Sequence, residues 1–234
     1  FRSMLDSLAA SIDAQRRFAA NASHELKTPI TTIQAMADVA LSDPGAPAEE
    51  LRAALARVRE VNARSAGTVS SLLSLAEVQS GRPLSRGEVD LGEICARVAR
   101  ERGVALADGP HQLRLRGDAA LLYTAVDNLA RNAVQHGEPG TAELEFQRLG
   151  HGGAEVVVRN GGVALSAGDV ERLAEPFAGS RGGTGHGLGL ALAQAIAEAH
   201  GGTLELAARD GGGLVAALRI YSAPESSPGL SASE

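Results

Sequence analysis

No tryptophan occurs in this chain, only one cysteine does, and aromatic residues make up 3% of its 234 positions. With Cys95 alone, an internal disulfide bond is excluded. No apolar run approaches the roughly 18 residues that a membrane-spanning helix needs, and no secretory signal opens the sequence. The 22 basic residues are outnumbered by 28 acidic ones and form no long basic run. The composition therefore gives no indication of a nucleic-acid-binding protein.

The chain does have enough apolar material for two domains. Hydrophobic residues make up 44% of it, and with so few aromatics the cores must be built from Ala, Leu and Val. Because the sequence begins at Phe1, inside a helical pattern and without an initiator methionine, we expect a soluble, cytosolic piece of a longer protein.

The first forty residues carry a heptad-like pattern that predicts a helix over Leu5–Ser42. Its apolar seam advances in steps of three and four, through Leu5, Leu8, Ile12, Gln15, Ala19, Ala22, Leu26, Pro29, Ile33, Met36 and Ala40. His24 falls off this seam and is expected to face solvent. Glu25 lies beside it, and Thr28 lies one turn further along the same face. Pro29 predicts a bend just after the histidine.

A turn rich in proline and glycine, Asp43–Pro47, ends this helix and leads to a second seam. That seam runs through Leu51, Leu55, Val58, Asn62, Ser65, Val69, Leu72 and Ala76. Two long helices with so short a connection form an antiparallel hairpin, residues 1–80. Its wide apolar face predicts a homodimer that forms a four-helix bundle. Asn62 and Ser65 either set the register of this bundle or face a wet rim.

The remainder predicts an α+β domain over residues 88–221, after a linker at 81–87 and before a disordered tail at 222–234. Helices are expected at 91–102, 119–136, 168–174 and 188–200. Strands are expected at 103–106, 113–116, 142–149, 154–160, 203–208 and 214–220. We expect a mixed sheet with helices packed over one face.

The helix over 119–136 carries three polar residues spaced four apart, Asn128, Asn132 and His136, which share one face. Buried amides are costly unless they bind something, and an amide oxygen is a suitable ligand for Mg²⁺. The alternative is a row of asparagines that satisfies loop backbone.

Three further features lie downstream. The strand at Val156–Val158 leads to Asn160 and two glycines, Gly161 and Gly162, which permit close approach of a flat ligand. Glu175-Pro176-Phe177 precedes a glycine-rich segment, residues 182–190, that runs into a helix. Amide groups at such a helix start can bind phosphate. The segment is not a P-loop, because it lacks the lysine of that motif. It is not a dinucleotide fingerprint either, because no strand leads into it and no acidic ribose partner lies at the expected distance.

These motifs, in this order, resemble the sensor histidine kinases of two-component signalling. His24 to Pro29 is similar to their phospho-accepting box, although a lone surface histidine is more often only solvated. The four downstream features are similar to the N, G1, F and G2 boxes of the ATP-binding domain that these kinases share with gyrases, heat-shock chaperones and mismatch-repair ATPases. The resemblance covers residues 17–220. It implies ATP, Mg²⁺, a homodimer and a response-regulator partner, in the cytoplasmic portion of a membrane-anchored sensor whose N-terminal segment is missing.

The resemblance also assigns roles to residues. His24 would be phosphorylated, Glu25 would be its acid/base partner, and Thr28 would place a hydrolytic water in dephosphorylation. Asn132 would bind Mg²⁺, Asn160 would bind the adenine amino group, and Phe177 would anchor the lid. The other residues expected at the nucleotide are Asn128, His136, Gly162, Arg181, Gly185, Gly187, Leu188 and Gly189.

Three positions depart from the family pattern. Asn160 replaces the usual aspartate, Ala164 replaces a glycine, and Gln135 replaces a basic residue for which Arg181 or Arg131 could substitute. We therefore expect looser nucleotide binding with relaxed base choice. Two other functions stay open: a dimeric signalling scaffold with a degenerate nucleotide site, and an ATPase of the same fold without phosphotransfer.

Overall fold

The computed structural model describes residues 2–43, 45–110, 112–173, 175–177 and 187–221. It divides the chain into two compact units, one of residues 1–77 with 175–188 and the other of residues 78–174 with 189–234. The predicted domain boundaries stay predictions, and the tail predicted to be disordered lies outside the described residues.

The first unit is a helical hairpin of two long helices, α1 (Arg2–Ser42) and α2 (Ala48–Gln79). Pro29 lies inside α1 without ending it. Nearby threonine hydroxyls donate to carbonyls one turn earlier, as in Thr32 Oγ1 to Thr28 O at 2.9 Å. None of the described helices is long and apolar enough to cross a membrane.

Within the single chain, part of the seam predicted for α2 is covered and part is exposed. Val58, Ser65 and Leu72 are half-buried, but Leu55 is 67% exposed and Val69 is 40% exposed. The stripe that is actually covered runs through Ala54, Val58, Val61, Ser65, Thr68, Leu72 and Leu75. The helix therefore has a covered apolar stripe and a second, exposed one.

The second unit contains two sheets and four helices among its described residues. Its strands are β1 (Gly87–Asp90), β2 (Ala105–Leu106), β3 (Arg114–Gly117), β4 (Glu143–Arg148), β5 (Gly153–Asn160), β6 (Thr203–Ala208) and β7 (Leu214–Tyr221). Its helices are α3 (Leu91–Arg102), α4 (Ala119–His136), α5 (Ala167–Leu173) and α6 (Gly189–Ala199). A short 3₁₀ turn at Gly150–Gly152 joins β4 to β5.

The main sheet is mixed, as predicted. Its strand order is β2-β4-β5-β7-β6, with β2 parallel to β4 and the other pairs antiparallel. Side chains alternate along the strands: Leu144, Val156 and Leu218 are buried beneath the helices. The other face carries ion pairs such as Arg159 with Glu145 at 2.7 Å. A second, two-stranded sheet pairs β1 with β3.

Aspartate caps fix the starts of two helices that pack together, α3 and α4. Asp90 Oδ1 accepts hydrogen bonds from the amides of Gly92 and Glu93, and Asp118 Oδ1 does so from Ala120 and Leu121. These caps place the polar face of α4 in a defined register within the unit.

Candidate functional site

The candidate phosphorylation site lies on α1, where His24 is exposed as predicted. Glu25 is half-buried beside it. Thr28 is exposed, and its hydroxyl donates to the His24 carbonyl at 3.1 Å. The imidazole is therefore accessible on a rigid helix, with a carboxylate adjacent in sequence and a hydroxyl one turn away.

A groove of about 1200 Å³ runs along the hairpin from the level of His24 toward the turn. It is lined by α1, the turn and α2, including His24, Lys27, Thr28, Met36, Leu51 and Arg57. His24 and Thr28 therefore lie beside a wide, partly apolar surface.

Three of the residues predicted at the nucleotide belong to the same unit as the hairpin. Phe177 is 8% exposed, and its ring centroid lies 5.7 Å from that of Phe18 on α1. The Phe177 amide donates to the Gly187 carbonyl at 2.8 Å, and Leu188 is buried. Arg181 and Gly185, also predicted here, lie outside the described residues.

The face of α4 predicted to bind nucleotide changes from buried to exposed along its length. Asn128 is buried, Asn132 is half-buried and His136 is exposed. Both ends of the Asn128 amide are used within the unit: Nδ2 donates to Thr124 O at 2.9 Å, and Oδ1 accepts from Arg131. Asn128 is therefore placed to position its neighbours, and Asn132 and His136 are the more accessible members of this face.

Asn132 is a suitable ligand for Mg²⁺. Within the part of the chain that the structure describes, its half-buried amide makes no hydrogen bond, so its oxygen is available. No group of three His, Cys, Asp or Glu side chains that could hold a metal occurs among the described residues. A Mg²⁺ ion here would take its remaining ligands from water and phosphate, as this ion commonly does.

The predicted base-binding residue, Asn160, ends β5 and is 4% exposed. Its Nδ2 donates to Gly161 O at 3.0 Å. A Cβ on Gly137, just after α4, would lie 2.8 Å from Cβ of Asn160, so only glycine lets the two segments approach this closely. Gly162 is also close to α4: a Cβ on it would lie 3.5 Å from the carbonyl oxygen of His136, the last residue of that helix. The structure thus brings Asn160 and Gly162 to the C-terminal end of α4.

The start of α6 meets α4 at the other end of the polar face. A Cβ on Gly189 would lie 3.2 Å from Oδ1 of Asn128 and 3.6 Å from Nη2 of Arg131. Gly189, the last of the predicted glycines, therefore lies against α4, where a Cβ would make a tight contact with the Asn128 amide.

Sequence reasoning missed a polar cluster where the linker meets the second unit. His200 is 1% exposed; its Nδ1 donates to Ile196 O at 2.8 Å, and its Nε2 accepts from the Asp118 amide at 3.0 Å. Burial lowers the pKa of His200. Ser85 N donates to Asp118 Oδ2 at 3.2 Å, and Arg86 Nη2 donates to Ala199 O at 3.0 Å. The helix-capping position of Asp118 was the one signal of this cluster in the sequence.

Two family models match the chain. Residues 14–81 match the His Kinase A (phospho-acceptor) domain, and residues 117–224 match the histidine kinase-, DNA gyrase B- and HSP90-like ATPase. Together they cover more than half of the chain. The two units thus contain a phospho-acceptor hairpin and an ATP-binding domain of this class.

A relative that matches nearly the whole of this chain agrees with the two family models. The chain is 36% identical over 228 residues to the sensor protein CutS of Streptomyces coelicolor, covering 92% of this chain and 55% of that protein. The chain belongs to the sensor histidine kinases of two-component systems. It spans about half the length of the curated relatives it matches.

Solved structures show the same fold. The histidine kinase ThkA, in complex with the response regulator protein TrrA, superposes with a TM-score of 0.69 at 20% identity, over 93% of this chain and 65% of that one. Full-length ShkA in complex with AMPPNP gives a TM-score of 0.62 at 23% identity, over 88% of this chain and 45% of that one.

Proposed function

We propose that this chain is a protein-histidine kinase that phosphorylates His24 with ATP bound by the α/β unit. The observation that carries the proposal is the exposed His24 in a phospho-acceptor hairpin, on the same chain as an ATPase-type domain with an accessible Asn132. The AMPPNP bound to the similarly folded ShkA supports a nucleoside triphosphate as the substrate.

In the proposed reaction the unprotonated ring nitrogen of His24 attacks the γ-phosphorus of ATP. A nitrogen–phosphorus bond forms as the bond to the β–γ bridging oxygen breaks, and ADP leaves. Glu25 accepts the N–H of the other ring nitrogen, which makes the attacking nitrogen more basic. Mg²⁺ on Asn132 would neutralise charge on the phosphates. Phosphoryl transfer then depends mainly on positioning.

The phosphoryl group would pass from His24 to an aspartate carboxylate of a response regulator, the class of partner that is bound to ThkA. That transfer exchanges the labile nitrogen–phosphorus bond for an acyl phosphate. Thr28, one turn from His24, would place the water that later hydrolyses the acyl phosphate. The end of the groove at His24, Lys27 and Thr28 is the surface on which such a partner would dock, whereas Val39 lines the groove nearer the turn.

We propose further that the chain is a homodimer whose hairpins form a four-helix bundle. Apolar side chains on both helices are left exposed in the single chain: Ile30 at 56%, Val39 at 74%, Leu55 at 67% and Leu73 at 61%. A second copy would cover them and remove their apolar surface from water. Membrane anchoring through a segment that precedes this chain, and a cytoplasmic location, stay predictions.

Labelling with γ-labelled ATP tests the kinase assignment. Wild type should acquire acid-labile label and His24→Gln should acquire none; label that persists in His24→Gln would refute the assignment. Nucleotide binding without label on His24 would favour the ATPase alternative. An absence of nucleotide binding would favour the scaffold.

Thr28→Ala tests the phosphatase role. It should leave autophosphorylation intact and slow dephosphorylation of the phosphorylated regulator, because only the second reaction needs a placed water. Thr31→Ala is the matched control, since Thr31 is an exposed threonine that makes the same type of bond to a carbonyl one turn earlier, 3.1 Å from Lys27 O. Equal loss of both reactions in Thr28→Ala would contradict the role.

A further inference from the structure

Arg131 lies on α4 beside Asn128 and the start of α6, at one end of the polar face of the candidate nucleotide site. It precedes Asn132, and its guanidinium donates to Oδ1 of Asn128. Its Nη2 lies 3.6 Å from where a Cβ on Gly189 would be, at the first residue of α6. The cationic group therefore lies where the glycine-rich segment runs into its helix.

Among the residues that the structure describes, no carboxylate is in ion-pair contact with Arg131. The nearest acidic neighbour in sequence, Asp127, is held by Arg102 through two hydrogen bonds of 2.6 and 2.8 Å. Among the described residues, the hydrogen-bond partner of the Arg131 side chain is the neutral amide of Asn128. A guanidinium has five N–H donors, so most of them remain for a ligand.

The surroundings of this guanidinium favour an anion. The Arg131 side chain remains solvent-accessible overall, yet its pKa is lowered, chiefly by burial, and the nearby Arg102 lowers it further while Asp127 raises it. An anion bound against this group would offset its desolvation and the repulsion from Arg102.

Gln135 lies one turn after Arg131 on the same row of α4 and carries no charge. The Arg131 guanidinium, one turn earlier, can therefore reach the side of the helix on which residue 135 lies. Planar guanidinium groups suit phosphate because they can donate two parallel hydrogen bonds.

We propose that Arg131 is a phosphate-binding residue of the nucleotide site, and that its guanidinium hydrogen-bonds the polyphosphate of the bound nucleoside triphosphate in place of the basic residue absent at position 135. Asn128 positions this group by accepting one of its N–H bonds. The inference rests on the proposed binding of ATP and names a further residue of that site.

Equilibrium binding of ATP and of adenosine to the whole chain tests it. Arg131→Gln should weaken ATP binding by about tenfold, the scale of one charge-assisted hydrogen bond, and should leave adenosine binding unchanged. Arg131→Lys keeps the charge and should recover part of the loss. The ATP affinity of wild type should also fall more steeply with salt than that of Arg131→Gln. Arg148→Gln removes the same charge from the exposed end of β4 and should bind both ligands as wild type does.

Two results would overturn this inference without affecting the proposed ATP site. One is ATP binding by Arg131→Gln equal to that of wild type. The other is equal weakening of ATP and adenosine binding, which would mean that Arg131 only supports Asn128. If wild type bound neither ligand, the proposed ATP site would fail together with this inference. Thermal unfolding of each variant establishes that it is folded. Should Arg131→Gln not fold, a lowered ATP affinity with unchanged adenosine affinity in Arg131→Lys supports the inference. ATP affinity equal to that of wild type, or ATP and adenosine affinities lowered alike, overturns it.

Discussion

The hairpin and the α/β unit bury their apolar side chains to very different extents. Along α1 and α2, among the side chains that the structure describes, only Thr68 and Leu75 are buried. In the α/β unit, Leu91, Leu144 and Ile196 are each 0% exposed, as are other side chains on its helices and strands. One unit has a core of its own, whereas the other has helices whose apolar surface is largely uncovered.

This difference matches the chemistry proposed for each unit. A nucleotide site requires polar groups held in fixed positions, and the capped helix α4 packed on a sheet provides them. A phospho-accepting histidine must be reached by two different proteins or domains, so it lies exposed on a long helix. We therefore expect the hairpin to depend on the proposed second copy for its stability, whereas the α/β unit has a core of its own.

The largest expected effect is loss of the dimer on placing a charge in the exposed apolar stripe of α2. Leu55→Asp should convert the full chain from dimer to monomer in sedimentation. An unpaired carboxylate buried in the bundle costs several kcal/mol, which raises the dissociation constant more than about 100-fold. Val163→Asp, which alters an 82% exposed residue of the α/β unit, is the control and should stay dimeric. If Leu55→Asp stayed dimeric, the exposed apolar stripe of α2 would not be the dimer interface, and the contrast drawn between the two units would be wrong.

Next in size is a cavity in the core of the α/β unit. Leu144→Ala, in the middle of the sheet, should lower the free energy of unfolding by about 2–5 kcal/mol, because it removes packed methyl groups and leaves a cavity. Urea denaturation measures it, and Val163→Ala should change stability by less than about 0.5 kcal/mol. A loss below about 1 kcal/mol in Leu144→Ala would show that this unit lacks the self-sufficient core described here.

A smaller effect concerns the buried His200, which joins the start of α4 to α6 through the Asp118 amide and the Ile196 carbonyl. Burial lowers its pKa in the folded chain, so the unfolded chain binds the proton more readily. Stability should therefore be complete above the unfolded pKa of about 6.5 and should fall as pH decreases below it. The physical cause is that imidazolium cannot accept the Asp118 amide and is repelled by Arg86.

The measurement for His200 is the urea midpoint of the α/β unit between pH 5 and pH 8. His200→Gln should remove this part of the pH dependence, and His136→Gln, at the exposed end of α4, should retain it. Identical pH profiles for wild type and His200→Gln would contradict the prediction.

The smallest effect is expected on the exposed face of the sheet. Glu145→Gln removes the 2.7 Å pair with Arg159, whose side chain is 32% exposed. Because solvent screens such pairs, the stability of the α/β unit should fall by no more than about 1 kcal/mol in urea denaturation. A loss comparable to that of Leu144→Ala would mean that the charged face contributes as much as the core.

Much of the fold could be predicted from local signals. Residues 91–102 and 119–136 are predicted as helices, and α3 and α4 have these bounds; in the structure an aspartate caps the start of each. The strand predicted at 103–106 shrinks to Ala105–Leu106, since Gly103 ends α3 in a left-handed conformation. The roles of the predicted site residues stay predictions, to be tested by the experiments above.

By itself, the sequence determined the helices, the strands, the family motifs and the exposure of His24, because each depends on residues close together along the chain. Only the tertiary structure decided which stripe of α2 is covered, since both stripes of that helix are apolar. Likewise, only the fold brought Arg131 to Gly189, and both Ser85 of the linker and His200 to Asp118. Those contacts join segments separated by dozens of residues, and no local pattern specifies which distant polar group will meet another.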